Sequence, residues 1–272
     1  MKYYASEFAL DPNIPTEETM FHRLLESNVL SDEYTLCALP LTHMINTLGV
    51  PGTQAEIEKV QVEGKKLFVC QHILTERLKF DKDSIVATPH ATIGSGYISI
   101  PHFPVCVDKS KMKEERSMLF SFMGYVQTHE IRRGLTILYP KNCFDSGHLW
   151  GLDPTIVDKE AHRARYIEML GDSEFSMCPR GTGISSVRLF ESMAMGAIPI
   201  IIADGYKPPL HTKVDWSQIS ISVPSNRISK IGQSLTQSFT KDKIRAMRTR
   251  MTETYEEYFS PERFERSIEL ML

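Results

Sequence analysis

No run in the 272 residues approaches the ~20 apolar positions that a membrane-spanning helix needs. The opening residues, Met-Lys-Tyr-Tyr-Ala-Ser-Glu-Phe, hold no apolar core of signal-peptide length. The expectation is a soluble, cytoplasmic chain with no membrane span. An excess of one charge is lacking too: the net charge is -3, which excludes a general affinity for nucleic acid or an anionic membrane. Any charged site must therefore be local. The five cysteines, Cys37, Cys70, Cys106, Cys143 and Cys178, are odd in number, widely spaced and mostly in apolar runs. That pattern favours reduced, buried thiols over a disulfide framework or a zinc site. Carboxylates at metal-binding spacing are absent: Asp81-Lys-Asp83 has the letters, but in a charged loop without an apolar strand leading straight into it. No metal or other cofactor is expected. No Gly-Lys-Ser/Thr follows a glycine loop, which excludes a P-loop kinase, and no repeat or low-complexity tract is present.

What is present is an ordinary globular composition, 42% hydrophobic and 24% charged, long enough for two lobes of common size. Apolar residues at Met20, Phe21, Leu24, Leu25 and Val29 predict a helix over 17–30, and a strand follows at 34–41. A helix at 54–62 and short strands at 66–71, 84–88 and 97–100 continue the alternation that implies a mostly parallel sheet. A polar stretch without clear period between Pro101 and Glu115 reads as a crossover. Beyond it come strands at 118–123 and 135–139, a helix at 159–170, a strand at 219–223, helices at 228–239 and 241–258, and a last helix from Pro261. The expected organisation is an N-terminal lobe over 1–112, a nucleotide-binding lobe over 113–255, and a C-terminal helix, 256–272, crossing back to the first lobe.

The densest stretch runs from Phe175 to Asp204 and reads as strand, glycine loop, helix, strand. Gly181 and Gly183 would let the backbone approach a bound group, and Ser185 or Ser186 would cap the next helix, leaving its N–H groups and positive dipole end as a phosphate seat. Val187, Phe190 and Ala194 share one face, which would meet a sheet, whereas Arg188 and Glu191, three apart, share the other. That pair stands beside the seat or is simply a solvated ion pair. Gly196 stops the helix and the apolar run 198–203 reads as a buried parallel strand. Cys178 reads as a buried strand end, His129 and His162 as surface residues, and His72, His90 and His102 as strand-end residues with structural or acceptor-side roles.

Cys178-Pro-Arg-Gly181, Ser186-Val-Arg-Leu-Phe-Glu191 and Gly196-Ala-Ile-Pro-Ile200 resemble the hallmark of the exostosin-like glycosyltransferases, glycosyltransferase family 47. Weaker resemblances are Gly64 to His72, Ile98-Ser-Ile-Pro-His-Phe103, Arg132-Arg-Gly-Leu135 and Asp215-Trp-Ser217; Lys66 and Leu67 replace the family's Asp-His pair. The resemblance implies an α/β fold of two Rossmann-like lobes facing each other across a cleft, the GT-B type. It implies inverting transfer of a sugar from a UDP-sugar donor to a hydroxyl of an oligosaccharide or glycoprotein, usually without a metal. Glu191 would bind the ribose, Arg188 or Arg180 would neutralise the departing diphosphate, and Arg132 would be a second phosphate ligand. The general base is open among His72, which matches a family position, His102, and Asp81 or Asp83. Typical family members carry an N-terminal membrane anchor and work in the Golgi lumen, so this chain is expected to be a compact soluble relative or one trimmed of its anchor. Two other readings remain: an NAD(P)-dependent oxidoreductase, since Gly181-Thr-Gly-Ile-Ser-Ser186 nearly spells a dinucleotide fingerprint with Asp204 after the next strand, and a non-catalytic carbohydrate-binding relative.

Overall fold

The computed structural model describes residues 2–5, 8, 14–147 and 159–272. They form two compact units: 1–103 with 205–213 and 258–272, and 104–204 with 214–257. The division falls at Phe103 rather than at residue 112, residues 205–213 leave the second unit, and the C-terminal segment is part of the first.

The first unit holds β1 (Lys2–Ala5), α1 (Pro15–Ser27), β2 (Tyr34–Ala38), α2 (Leu41–Glu58), β3 (Lys65–Val69), β4 (Ser84–Thr88) and β5 (Ile98–Ser99). Its five strands are all parallel and lie in sequential order. Alternate strand residues supply two cores, as a pleat requires. Leu36, Leu67, Val69 and Ala87 pack with Met20, Phe21 and Leu24 of α1 and with Phe264 and Ile268 of the C-terminal segment. Cys37, Phe68 and Cys70 pack with Leu41, Met44, Ile45 and Ile57 of α2. α1 starts two residues before the expected residue 17 because Pro15 presets the first helical φ, and it ends where Asn28 turns left-handed (φ 50). α2 starts well before the predicted residue 54; Gly49 (φ 69) and Pro51 hide its first half by kinking it.

The second unit holds β6 (Met118–Gly124), α3 (Glu130–Leu138), β7 (Cys143–Asp145), α4 (Lys159–Gly171), β8 (Ser173–Pro179), α5 (Arg188–Ala194), β9 (Ile198–Ile202), β10 (Ile221–Ser222), α6 (Ile231–Ser238) and α7 (Lys241–Tyr258). The strands are again parallel, in the order β10-β9-β8-β6-β7. The strand expected at 135–139 is instead the end of α3. His129 caps that helix by accepting the Ile131 N–H at 3.2 Å, and Ile131 and Leu135 bury its inner face. Gly196 follows α5 in the left-handed region (φ 67), where a Cβ would meet the Arg116 guanidinium at 2.8 Å. β9 is buried throughout.

Candidate functional site

In the second sheet the chain leaves β6 for the edge strand β7, then returns past β6 to form β8 and runs outward to β9 and β10. The winding direction therefore reverses between β6 and β8, and open α/β sheets bind ligands beyond the carboxyl ends of the strands at such a reversal. The residues after β6 lead into α3, which carries Arg132, and those after β8 carry Arg180, the glycine turn and Arg188.

Arg132 spans the reversal. Its Nε donates to the Arg180 carbonyl at 3.0 Å, and its Nη atoms to the carbonyls of Tyr125 and Pro179, both at 3.3 Å. Gly181 makes room for it, since a Cβ there would lie 2.9 Å from an Arg132 Nη. The Gly181 N–H donates to the Gly183 carbonyl at 3.1 Å, closing a tight turn. Gly181 thus leaves room for the Arg132 guanidinium. Burial, followed by the nearby Arg188 charge, lowers the Arg132 guanidinium to about 9. His129 is also held below its usual range, by burial and then by Arg180. Among the described residues Arg180 makes long contacts to the carbonyls of Gly181 (3.4 Å) and Thr182 (3.5 Å).

Arg188 opens α5 and is 8% exposed. Its guanidinium stacks over the rings of Phe122 (4.6 Å to the centroid) and Tyr166 (5.3 Å), and one Nη donates to the Met123 carbonyl. Gly124 gives it space, since a Cβ there would come 2.8 Å from an Nη. Its buried Nε has no hydrogen-bond partner. Glu191, 3% exposed, accepts from the Tyr166 hydroxyl at 2.6 Å on one oxygen and from the Cys106 N–H at 2.9 Å on the other. Burial pushes its carboxyl upward against those hydrogen bonds and the Arg188 charge. A solvated Arg188–Glu191 pair is therefore excluded: both are buried, and among the described residues neither forms an ion pair within 4.0 Å.

The expected cap differs as well. Val187, already in helical conformation, precedes α5, and no side chain caps the helix; the Ser186 carbonyl accepts from the Leu189 N–H, and Ser185 is buried. All seven residues of α5 are buried, so the division into inner and outer faces does not hold. Tyr166 and Cys106 were not singled out for this site from sequence, because their parts in it are tertiary contacts without a local pattern.

The other candidates belong to the first unit. His72 follows β3 and His102 follows β5, both beyond strand carboxyl ends. The Nδ1 of half-buried His72 accepts from the Leu74 N–H at 3.0 Å, and burial lowers the imidazole. His102 is 6% exposed, with its ring 5.4 Å from that of His90; burial first, then His90, holds it well below the usual histidine range. Asp81 precedes β4, at the opposite edge of this parallel sheet, where it pairs with Lys66 and accepts from the Ser84 hydroxyl at 2.6 Å. That removes Asp81 from the group formed by the histidines. Glu17, which sequence reading passed over, is fully buried; it accepts from the Thr42 N–H (3.1 Å), the Thr42 hydroxyl (2.5 Å) and the Gln71 N–H (2.8 Å). Among the described residues no group of three or more His, Cys, Asp or Glu is placed to hold a metal, and no helix is long and apolar enough to cross a membrane.

Two parallel α/β units, the second with buried Arg188 and half-buried Arg132 and Arg180 at its winding reversal, define a Rossmann-like protein. The exostosin GT47 domain matches residues 43–239, and the chain belongs to that family. It is 35% identical over 115 residues to the probable glucuronoxylan glucuronosyltransferase IRX7 of Arabidopsis thaliana, covering 38% of this chain and 25% of that protein. It is 28% identical over 102 residues to Exostosin-1 of Drosophila melanogaster, covering 38% and 13%. The matched segments are thus a quarter or less of those curated relatives. Among solved structures, TarM is similar at 12% identity and a TM-score of 0.42, over 90% of this chain and 55% of TarM. The oxidoreductase reading gains no support: Asp204, its ribose acid, accepts from the Ser225 hydroxyl and N–H.

Proposed function

We propose that this chain is an inverting glycosyltransferase that moves a sugar from a UDP-sugar to a hydroxyl of an oligosaccharide or glycoprotein. The observation that carries the proposal is the set of buried or half-buried arginines, Arg132, Arg180 and Arg188, which converge on the winding reversal and form no ion pair among the described residues. Guanidinium charge without an ion-pair partner within 4.0 Å, in a site of low exposure, is suited to an anion that gains charge as it departs. The acceptor oxygen attacks the anomeric carbon, the bond from that carbon to the diphosphate oxygen breaks, and UDP leaves with the electron pair. Arg188 and Arg132 stabilise the growing charge, so no metal is required in this mechanism. Glu191 keeps acceptor capacity for a ribose hydroxyl, because a carboxylate offers about four lone-pair sites and the described protein groups bonded to it are the Tyr166 hydroxyl and the N–H and thiol of Cys106.

The acceptor proton needs a base. His72 already uses its Nδ1 lone pair on Leu74, so its neutral ring presents an Nε2–H, a donor. We therefore propose His102, a buried imidazole after β5 held below its usual range by burial and then by His90, as the base. The cytoplasmic setting is also part of the proposal and is supported by Cys37, Cys70, Cys106, Cys143 and Cys178, all free thiols. Calorimetry with UDP, GDP and NAD tests the donor assignment: UDP should bind most tightly, and preference for GDP or NAD would reject it.

A further inference from the structure

Tyr166 touches both donor-site side chains from a third element. It lies on α4, is 2% exposed, donates its hydroxyl to Glu191 at 2.6 Å, and places its ring beneath the Arg188 guanidinium at 5.3 Å. Glu191 and Arg188 have no ion pair between them to fix their geometry, and the Arg188 Nε is unpartnered. The O–H of Tyr166 takes one lone pair of one Glu191 oxygen, just as the Cys106 N–H takes one on the other, which orients the carboxylate plane. The ring meanwhile stands with Phe122 against the Arg188 guanidinium.

Resting on the donor-site reading above, we propose that Tyr166 is the positioning residue of that site: its hydroxyl sets the ribose-binding carboxylate and its ring sets the diphosphate-binding guanidinium. The two functions are chemically separable. Tyr166→Phe removes only the hydroxyl, and Tyr166→Leu removes hydroxyl and ring. A positioning role predicts different signatures for the two, whereas a merely structural role weakens all ligands alike.

The test uses the full chain, with UDP and 2′,3′-dideoxy-UDP as calorimetric probes and circular dichroism to verify folding. Tyr166→Phe should weaken UDP by about tenfold, the scale of a hydrogen bond to a charged group, and leave the dideoxy analogue nearly unchanged, so that discrimination between the two collapses. Tyr166→Leu should weaken both probes further. In a Glu191→Gln background, Tyr166→Phe should have little additional effect, because both changes act on one contact; this cycle also gives a second route if one single variant folds poorly. Equal losses for UDP and its dideoxy analogue in Tyr166→Phe, or full additivity with Glu191→Gln, would overturn the Tyr166 assignment while leaving UDP binding intact. A wild-type protein that binds neither probe would instead overturn the donor-site reading itself, and this assignment with it.

Discussion

Arg188 is defined at the residue scale by what it cannot be. A guanidinium 8% exposed, stacked on two rings and bonded to one carbonyl, is not a surface charge. It keeps its place partly because Gly124 lacks a side chain. Gly124→Ala would put a methyl 2.8 Å from the Arg188 Nη and 3.2 Å from the Phe122 ring, so the guanidinium must move. Turnover should fall about tenfold or more while the circular dichroism spectrum holds, because the change acts on alignment rather than on the sheet. Wild-type turnover in a folded Gly124→Ala protein would show that Arg188 placement is irrelevant. Arg188→Lys should not restore function, since an ammonium can neither stack as a plane nor fork to two phosphate oxygens.

Glu17 makes the corresponding statement for elements. Its carboxyl ties the first turn of α1 to Thr42 at the start of α2 and to Gln71 after β3. Burial, opposed by those hydrogen bonds, raises it from 4.5 to about 7. The folded state therefore retains a proton that the unfolded chain releases in this window, and stability from this group falls as pH rises from about 4.5 to 7, by about 3 kcal/mol in all. Buried His102 works in the opposite sense, losing stability as pH drops below the ordinary histidine range, so the informative quantity is a difference between proteins. Urea midpoints of wild type and Glu17→Gln should diverge in favour of the variant from pH 4.5 to about 7 and then level off toward pH 8; parallel curves throughout would mean that Glu17 does not titrate there. Most elements were legible from sequence: β4, α4 and α7 fall close to their expected spans, because their apolar spacing matches the faces they bury. The misread stretch 135–139 carries Leu135, Thr136, Ile137 and Leu138, a strand-like composition, whereas the His129 cap and the buried Ile131–Leu135 pair make it helical. β1 and β7 lack any local signature and exist through pairing with β2 and β6. The burial of α5 on every side was likewise invisible, since the Cys106 backbone, Tyr166 and Phe122 that cover it come from elsewhere in the chain.

At the scale of the whole molecule, a net charge of -3 conceals a local concentration of arginine at the winding reversal of one sheet. The first sheet, wound in a single direction, has no such reversal, and its strand ends carry histidines instead. The alternation of strands and helices made both parallel sheets readable, but residues 205–213, which belong to the first unit, break the expected contiguity because their partners are Ala91, Ile93 and Tyr97 rather than sequence neighbours. The central claim is that arginine charge drives the departure of UDP. It is tested most directly by UDP release from UDP-linked xylose, galactose, glucuronate, arabinose and N-acetylglucosamine, assayed in excess chelator with wild type and Arg188→Ala. Release from at least one donor, persisting in chelator and falling by about 10²-fold or more in folded Arg188→Ala, is the expected result; no release from any donor, release abolished by chelator, or release unchanged in Arg188→Ala would contradict it.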